Sequence, residues 1–352
     1  MPSSQTSQQL DRAATRNGLI ASLLLVLGIY LGSGKLRYFD PALITYTSAT
    51  VFATFGIVYR YSVWLQKPPT RMYWRRGWQL LLRPSRLLAN LFTLVGLLFK
   101  NLVLQVFIGK RSHLRWMAHF LMSWGCIVAV AVTFPLVFGW IHFDADPKDP
   151  AYYLAIVFSQ VVGRFPAYSL IGWLTFHVLD FCAVAIIIGM SLAFKRRMYD
   201  KGAMTVQSFS MDFLPLILLF MVAVTGLMLT VSAIWLHGHS YGFIALLHAF
   251  SVIVTLLYLP FGKFFHIFQR PANLGVQFYK QEGQETEQAL CRRCETPYAS
   301  LMHVNDLKTV LEELGMDYQI DADLHYQEIC PVCRRKMMAL NQLDAIGGNG
   351  YL

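Results

Sequence analysis

The run LLHAFSVIVTLLYLPFGKFFH, residues 246–266, sets the frame for the whole chain. It is apolar almost throughout, yet it carries two imidazoles, His248 and His266. A helix needs about 20 apolar residues to cross a bilayer, and this run has that length. An ionisable side chain at such a depth is costly and rarely present without a task. The two histidines are eighteen residues apart. At about 100° per residue that is five turns, so one continuous helix would carry both on one stripe, about 27 Å apart. That approaches the ~30 Å hydrocarbon thickness and would set one histidine near each surface.

Composition agrees with this. Of 352 residues, 55% are hydrophobic and 14% charged, against about 25% charged in a soluble domain. The chain therefore reads as an all-α integral membrane helix bundle with a smaller polar part. The net charge of +10 sits in short loops beside apolar runs, as the positive-inside rule requires, so nucleic acid is not an expected partner. The first apolar run lacks a small-residue cleavage site and reads as a retained helix rather than a signal peptide.

Six spans are expected, at 18–34, 41–64, 115–140, 169–193, 211–236 and 242–268. The loop 66–86 holds six basic residues and no acid, and 195–201 holds four basics. Both are placed in the cytoplasm. The loop 141–168, with Asp144, Asp146 and Asp149, and the turn 237–242 fall outside. Both termini are then cytoplasmic, in a bacterial or archaeal inner membrane. Residues 87–108 are apolar but lie between basic loops. Asn90, Thr93, Lys100, Asn101 and Gln105 recur there near helical spacing. That pattern predicts an amphipathic helix along the cytoplasmic surface. If it spans instead, the first two segments invert. A similar short helix is expected at 151–162. The domains follow: a two-helix hairpin and basic loop at 1–84, a four-helix membrane domain with its interfacial helix at 85–270, and a cytoplasmic metal-binding domain at 271–352.

The histidines need partners at matching depths. His119 lies just inside the cytoplasmic end of its segment, like His266, and His177 lies about two turns in from the outside, like His248. Two same-face histidines with such partners suit bis-histidine ligation of two stacked b haems. The expected pairs are His119 with His266 and His177 with His248. His113 is the rival inside, His237 or His239 outside. A quinone site near the outer pair would draw on Arg164, Asp180, His237 or His239, by depth and polarity.

RWMAHFLMSWG at 115–125 and LLHAFSVIVTLLYLPFGKFFHIFQRP at 246–271 carry a resemblance. Residues 111–270 resemble the membrane cytochrome b (gamma) subunit of respiratory nitrate reductase. They are also similar to the membrane cytochromes of heterodisulfide-reductase-like complexes. The resemblance covers a little under half of the chain. It implies that the last helix gives one ligand to each of two haems, His248 and His266. It also implies that quinol is oxidised near the outer haem and that electrons pass inward to an iron–sulfur subunit. The family's earlier helix carries two histidines ten residues apart, but here the second position is Ala129. His177 would substitute; otherwise the chain holds one haem.

Of six cysteines, Cys126 and Cys182 sit in apolar segments as small hydrophobes. The others form CRRC at 291–294 and CPVC at 330–333. Four thiolates from two such knuckles match a tetrahedral zinc. Rubredoxin-like iron is the alternative, but Glu295 and Arg334 stand where rubredoxin has glycine. NDLKTVLEELG at 305–315 reads as one helix between the knuckles, and 334–336 as a solvated basic face.

The expected function is that of a membrane cytochrome b subunit of a respiratory oxidoreductase complex. It would carry electrons between membrane quinone and a cytoplasmic iron–sulfur or catalytic subunit. The competing reading is a haem-free anchor whose zinc domain docks soluble subunits. A transporter is disfavoured, since no inverted repeat or pair of broken helices is visible.

Overall fold

The structure is a computed structural model and describes residues 4–199, 207–345 and 347. In chain order its helices are α1 (Ser4–Gly32), α2 (Ile44–Gln66), α3 (Pro68–Leu81), α4 (Leu87–Leu98), the single turn α5 (Val106–Gly109) and α6 (His113–Val137). There follow α7 (Leu170–Tyr199), α8 (Leu214–Ile234), α9 (Tyr241–Tyr258), α10 (His266–Glu285), α11 (Leu301–Glu313) and α12 (Pro331–Ala345). Among the described residues, seven stretches are long and apolar enough to cross a membrane. Six coincide broadly with the expected spans. The seventh, Pro84–Val103, covers the segment expected to lie along the surface. The chain is a multi-pass helical membrane protein.

It folds into two compact units. The larger takes residues 12–62 and 103–268. Here α6 packs on α7, α7 on α8 and α8 on α9. The shared core is Ala183, Ile186, Met190, Leu216 and Ala223, with Met122 and Cys126 against it. A Cβ on Gly125 would come within 2.7 Å of Ile186, and one on Gly189 within 2.7 Å of the Ala118 carbonyl. Small residues thus let α6 and α7 approach closely, as membrane helices do.

Two expectations are corrected in this unit. Residues 242–268 are not one helix. α9 ends at Tyr258, and a 3₁₀ turn, Lys263–Phe265, precedes α10. Pro260 has no N–H to continue the ladder, and Gly262 takes an extended conformation. Arg60 of α2 bonds the carbonyls of Pro260 (2.6 Å) and Phe261 (3.0 Å), fixing the break. His248 and His266 therefore do not share a straight helix, and the 27 Å projection does not apply. Nor do residues 151–162 form a surface helix. They belong to an antiparallel sheet of β1 (Ile141–Ala145), β2 (Tyr152–Val157) and β3 (Gln160–Pro166). Aromatic and β-branched residues favour strand here. The turn between β2 and β3 has φ of 48° at Phe158 and 66° at Ser159, as a two-residue hairpin requires.

The smaller unit takes Val63–Leu102 and Gln269–Leu352, with the first residues of the chain. Its core joins Leu80 of α3, Leu97 of α4, and Leu274, Phe278 and Tyr279 of α10. The boundary expected at 270 falls inside α10, which runs unbroken from the membrane domain's expected end into the expected metal-binding domain. The hairpin β4 (Gln288–Leu290) and β5 (Pro297–Ser300) carries the first cysteine knuckle. β6 (Gln319–Asp321) and β7 (Leu324–His325) lead to the second. The helix expected at 305–315 is present as α11. Its buried Asp306 is gripped by the guanidinium of Arg76 (2.6–3.0 Å) and accepts the Tyr279 hydroxyl at 2.7 Å.

Candidate metal centres

His119 and His266 come together in the larger unit. Their ring centres are 6.5 Å apart and their planes 61° apart. Metal–nitrogen bonds of about 2 Å on both sides of one ion, plus the ring radii, put imidazole centres roughly 6 Å apart. Each ring has a partner at Nδ1. That of His266 donates to the Lys263 carbonyl. That of His119 faces Gln105 Oε1 at 2.8 Å, while Gln105 Nε2 donates to Ser123. Such bonds fix the tautomer, leaving the lone pair on Nε2, the usual way a ligating histidine is held.

Gln105 was expected on the polar face of a surface helix. It instead lies outside any helix, with φ of 52°, and is 4% exposed. Two tryptophans of α6 hold the loop that aims it. Trp116 donates to the Leu104 carbonyl at 2.8 Å and Trp124 to that of Val103 at 3.1 Å. Sequence reasoning missed Gln105, because nothing in its spacing marks a turn.

His177 and His248 are held, but not against one another; among the described residues no ring contact joins them. His177 Nδ1 lies 2.8 Å from Asp180 Oδ2, one turn along α7. Thr230 of α8 donates to the other oxygen of Asp180 at 2.6 Å. The His177 ring also lies 5.2 Å from that of Trp173. His248 Nδ1 is 3.0 Å from Thr225 Oγ1, whose hydroxyl donates to the Met221 carbonyl. Gly226 leaves room for this ring, since a Cβ there would stand 3.3 Å from His248 Cε1.

The other polar candidates are scattered. Arg164 pairs with Asp146 at 2.7 Å and lies over the Tyr152 ring at 3.9 Å, binding the sheet together. Asp180 is engaged with His177 and Thr230. His237 and His239 are exposed on the α8–α9 turn, and His113 is exposed at the start of α6.

In the smaller unit the sulfurs of Cys291, Cys294, Cys330 and Cys333 all lie within 4.8 Å of one another, and Cys294 and Cys330 are 3.7 Å apart. Bonds of about 2.3 Å to a tetrahedral zinc set sulfurs about 3.8 Å apart. The four cysteines could bind a metal ion such as zinc. Backbone N–H groups already point at sulfur, from Cys330 to Cys291 at 3.2 Å and from Cys333 to Cys330 at 3.4 Å. Burial raises the Cys291 thiol, but the backbone N–H groups of Cys330, Arg293 and Cys294 outweigh it and bring it down to about 6. Burial pushes Cys333 up to about 12. Arg334, expected on a solvated face, instead clamps the second knuckle. It donates to the Ile329 carbonyl at 2.7 Å and to Gln327 Oε1 at 2.8 Å, and stacks on Tyr326.

No family model, curated protein or solved structure matches this chain.

Proposed function

We propose that this chain is the membrane cytochrome b subunit of a respiratory oxidoreductase complex, exchanging electrons between membrane quinone and a soluble iron–sulfur or catalytic subunit. The observation that carries the reading is the His119–His266 pair, set at the separation that one iron between two imidazoles needs. Each Nδ1 also faces an oxygen acceptor, which suits a ring that offers Nε2 to iron. Haem b, when bound, supplies a one-electron couple in a low-dielectric frame. The residues that would hold its iron are His119 and His266, with Gln105 and the Lys263 carbonyl orienting the rings. For a second haem, the residues that would hold it are His248 and His177, oriented by Thr225 and Asp180. Arg164, Asp180, His237 and His239 are the groups to test for quinone binding.

The four-cysteine site belongs to this proposal as a zinc centre that orders the polar domain. Zinc has no accessible redox change and so would not relay electrons. The cysteine geometry stands without the histidines, and on it rests the second reading, a haem-free anchor that docks soluble subunits through its metal domain. Spectra of the purified chain separate the two. A Soret band with a dithionite-dependent b-type alpha band is expected, with two haems per chain by pyridine haemochrome. A colourless protein holding one zinc would leave only the anchor.

A further inference from the structure

We infer that residues 68–103 form a two-helix platform lying in the headgroup region of a lipid bilayer, and that Pro84–Val103 does not cross it. The inference is independent of haem.

The two stripes of α4 have opposite characters. Leu87, Asn90, Leu94, Leu97 and Asn101 recur at helical spacing on the inner side. Asn90 is 6% exposed and donates to the Leu80 carbonyl at 2.7 Å, and Leu97 sits in the unit's core. Leu88, Phe92, Val95 and Phe99 recur on the outer side and are 72, 77, 60 and 55% exposed. Asn90 and Asn101 thus face protein, while the large apolar Leu88, Phe92, Val95 and Phe99 face outward together with Thr93 and Lys100. A row of exposed leucine and phenylalanine of this kind needs cover.

Both ends of the segment are tied to one polar helix. Before α4, Arg83 pairs with Glu282 of α10 at 3.1 Å, and Arg86 with Glu285 at 3.5 Å. After α4, Asn101 donates to Gln277 of α10 at 2.9 Å. Gln277 and Glu282 are five residues apart, about 7.5 Å along a helix. A crossing helix would carry its ends to opposite surfaces, ~30 Å apart. α10 cannot bridge that gap through hydrocarbon, because Gln277, Lys280, Gln281, Glu282, Gln284 and Glu285 all lie on it. The two ends must therefore share one surface.

Charge and aromatic side chains together select lipid as the occupant. Of the six basic side chains in residues 66–86, Arg71, Arg76, Arg83 and Arg86 pair with acids of the same unit, while Lys67 and Arg75 are exposed and suit anionic headgroups. α3 adds Trp74 and Trp78, rings 5.7 Å apart and both exposed. Tryptophan favours the boundary between hydrocarbon and water.

Two measurements on the full chain in its membrane test this. Epitopes placed after Lys67 and after Lys110 are probed in sealed vesicles of one orientation. Separately, in chains without epitopes, a photo-crosslinking amino acid replaces Phe92. Both epitopes should be reached from the same face, and the probe at Phe92 should form lipid adducts. Epitopes on opposite faces would show a crossing helix and overturn the inference. Epitopes on one face with Phe92 crosslinked to a polypeptide would overturn it too, by making this a protein-binding face.

Discussion

Gln105 Oε1 lies 2.8 Å from Nδ1 of His119, and a single buried amide thereby sets which nitrogen of that ring keeps its lone pair. Gln105→Leu should spare both the fold and the imidazole while removing its orientation. A lost partner of this kind costs a ligand about 10–100-fold in metal affinity. The expected result is lowered haem occupancy and a shifted midpoint potential, read by redox titration of the alpha band. Unchanged occupancy and potential would show that Gln105 serves packing alone.

His119→Ala and His266→Ala should each remove the same haem and leave the rest of the spectrum intact. Pyridine haemochrome should fall from two to one per chain in either variant, and the double variant should fall no further. If His119→Ala keeps both haems, His113 becomes the inner candidate.

His177→Ala and His248→Ala test the outer pair in the same way. Asp180→Asn is the informative companion, because it keeps the shape and removes the charge that His177 faces. A ligating His177 should survive this change with an altered potential. A wild-type count of one haem would instead remove the outer pair.

The cysteines make a prediction free of haem. One zinc per chain is expected by mass spectrometry, and Cys330→Ser should lose it with haem spectra unchanged. Stoichiometric iron with a rubredoxin-like visible spectrum would make the domain a redox centre. Glu295 closes the first knuckle at φ 56°, a conformation that costs a residue with a Cβ roughly 1 kcal/mol or more. Glu295→Gly should therefore hold its metal against a chelator at least as well as wild type.

Asp306→Ala should destabilise the smaller unit by about 1–3 kcal/mol, because it leaves the buried Tyr279 hydroxyl without its acceptor, whereas the Arg76 guanidinium, 41% exposed, can turn to water. Limited proteolysis within residues 269–345 should accelerate, while the haem spectrum of the larger unit should hold.

The membrane character was legible because it rests on composition and run length, and the four cysteines because two paired knuckles leave few arrangements. The helix break was legible in principle. Pro260 and Gly262 stand two residues apart inside the run, but its apolar length outweighed them. The strands at 141–166 were hidden by their shortness, since aromatic and β-branched residues in such short runs fit either element. Gln105 and Thr225 were beyond reach. Each matters through a partner on another element, 14 and 23 residues away in sequence, and no periodicity encodes such a pairing.

The interruption at Pro260–Gly262 also separates the two histidines thermodynamically. His248 takes its orientation from Thr225 on α8. His266 takes its own from a joint held by Arg60, whose guanidinium also lies 4.3 Å from the centre of the Phe265 ring. No rigid rod transmits rotation from one imidazole to the other. Substitutions at Thr225 and Arg60 should then act additively, within about 0.5 kcal/mol, as independent sites do. Each end of the run can drift in sequence without detuning the other.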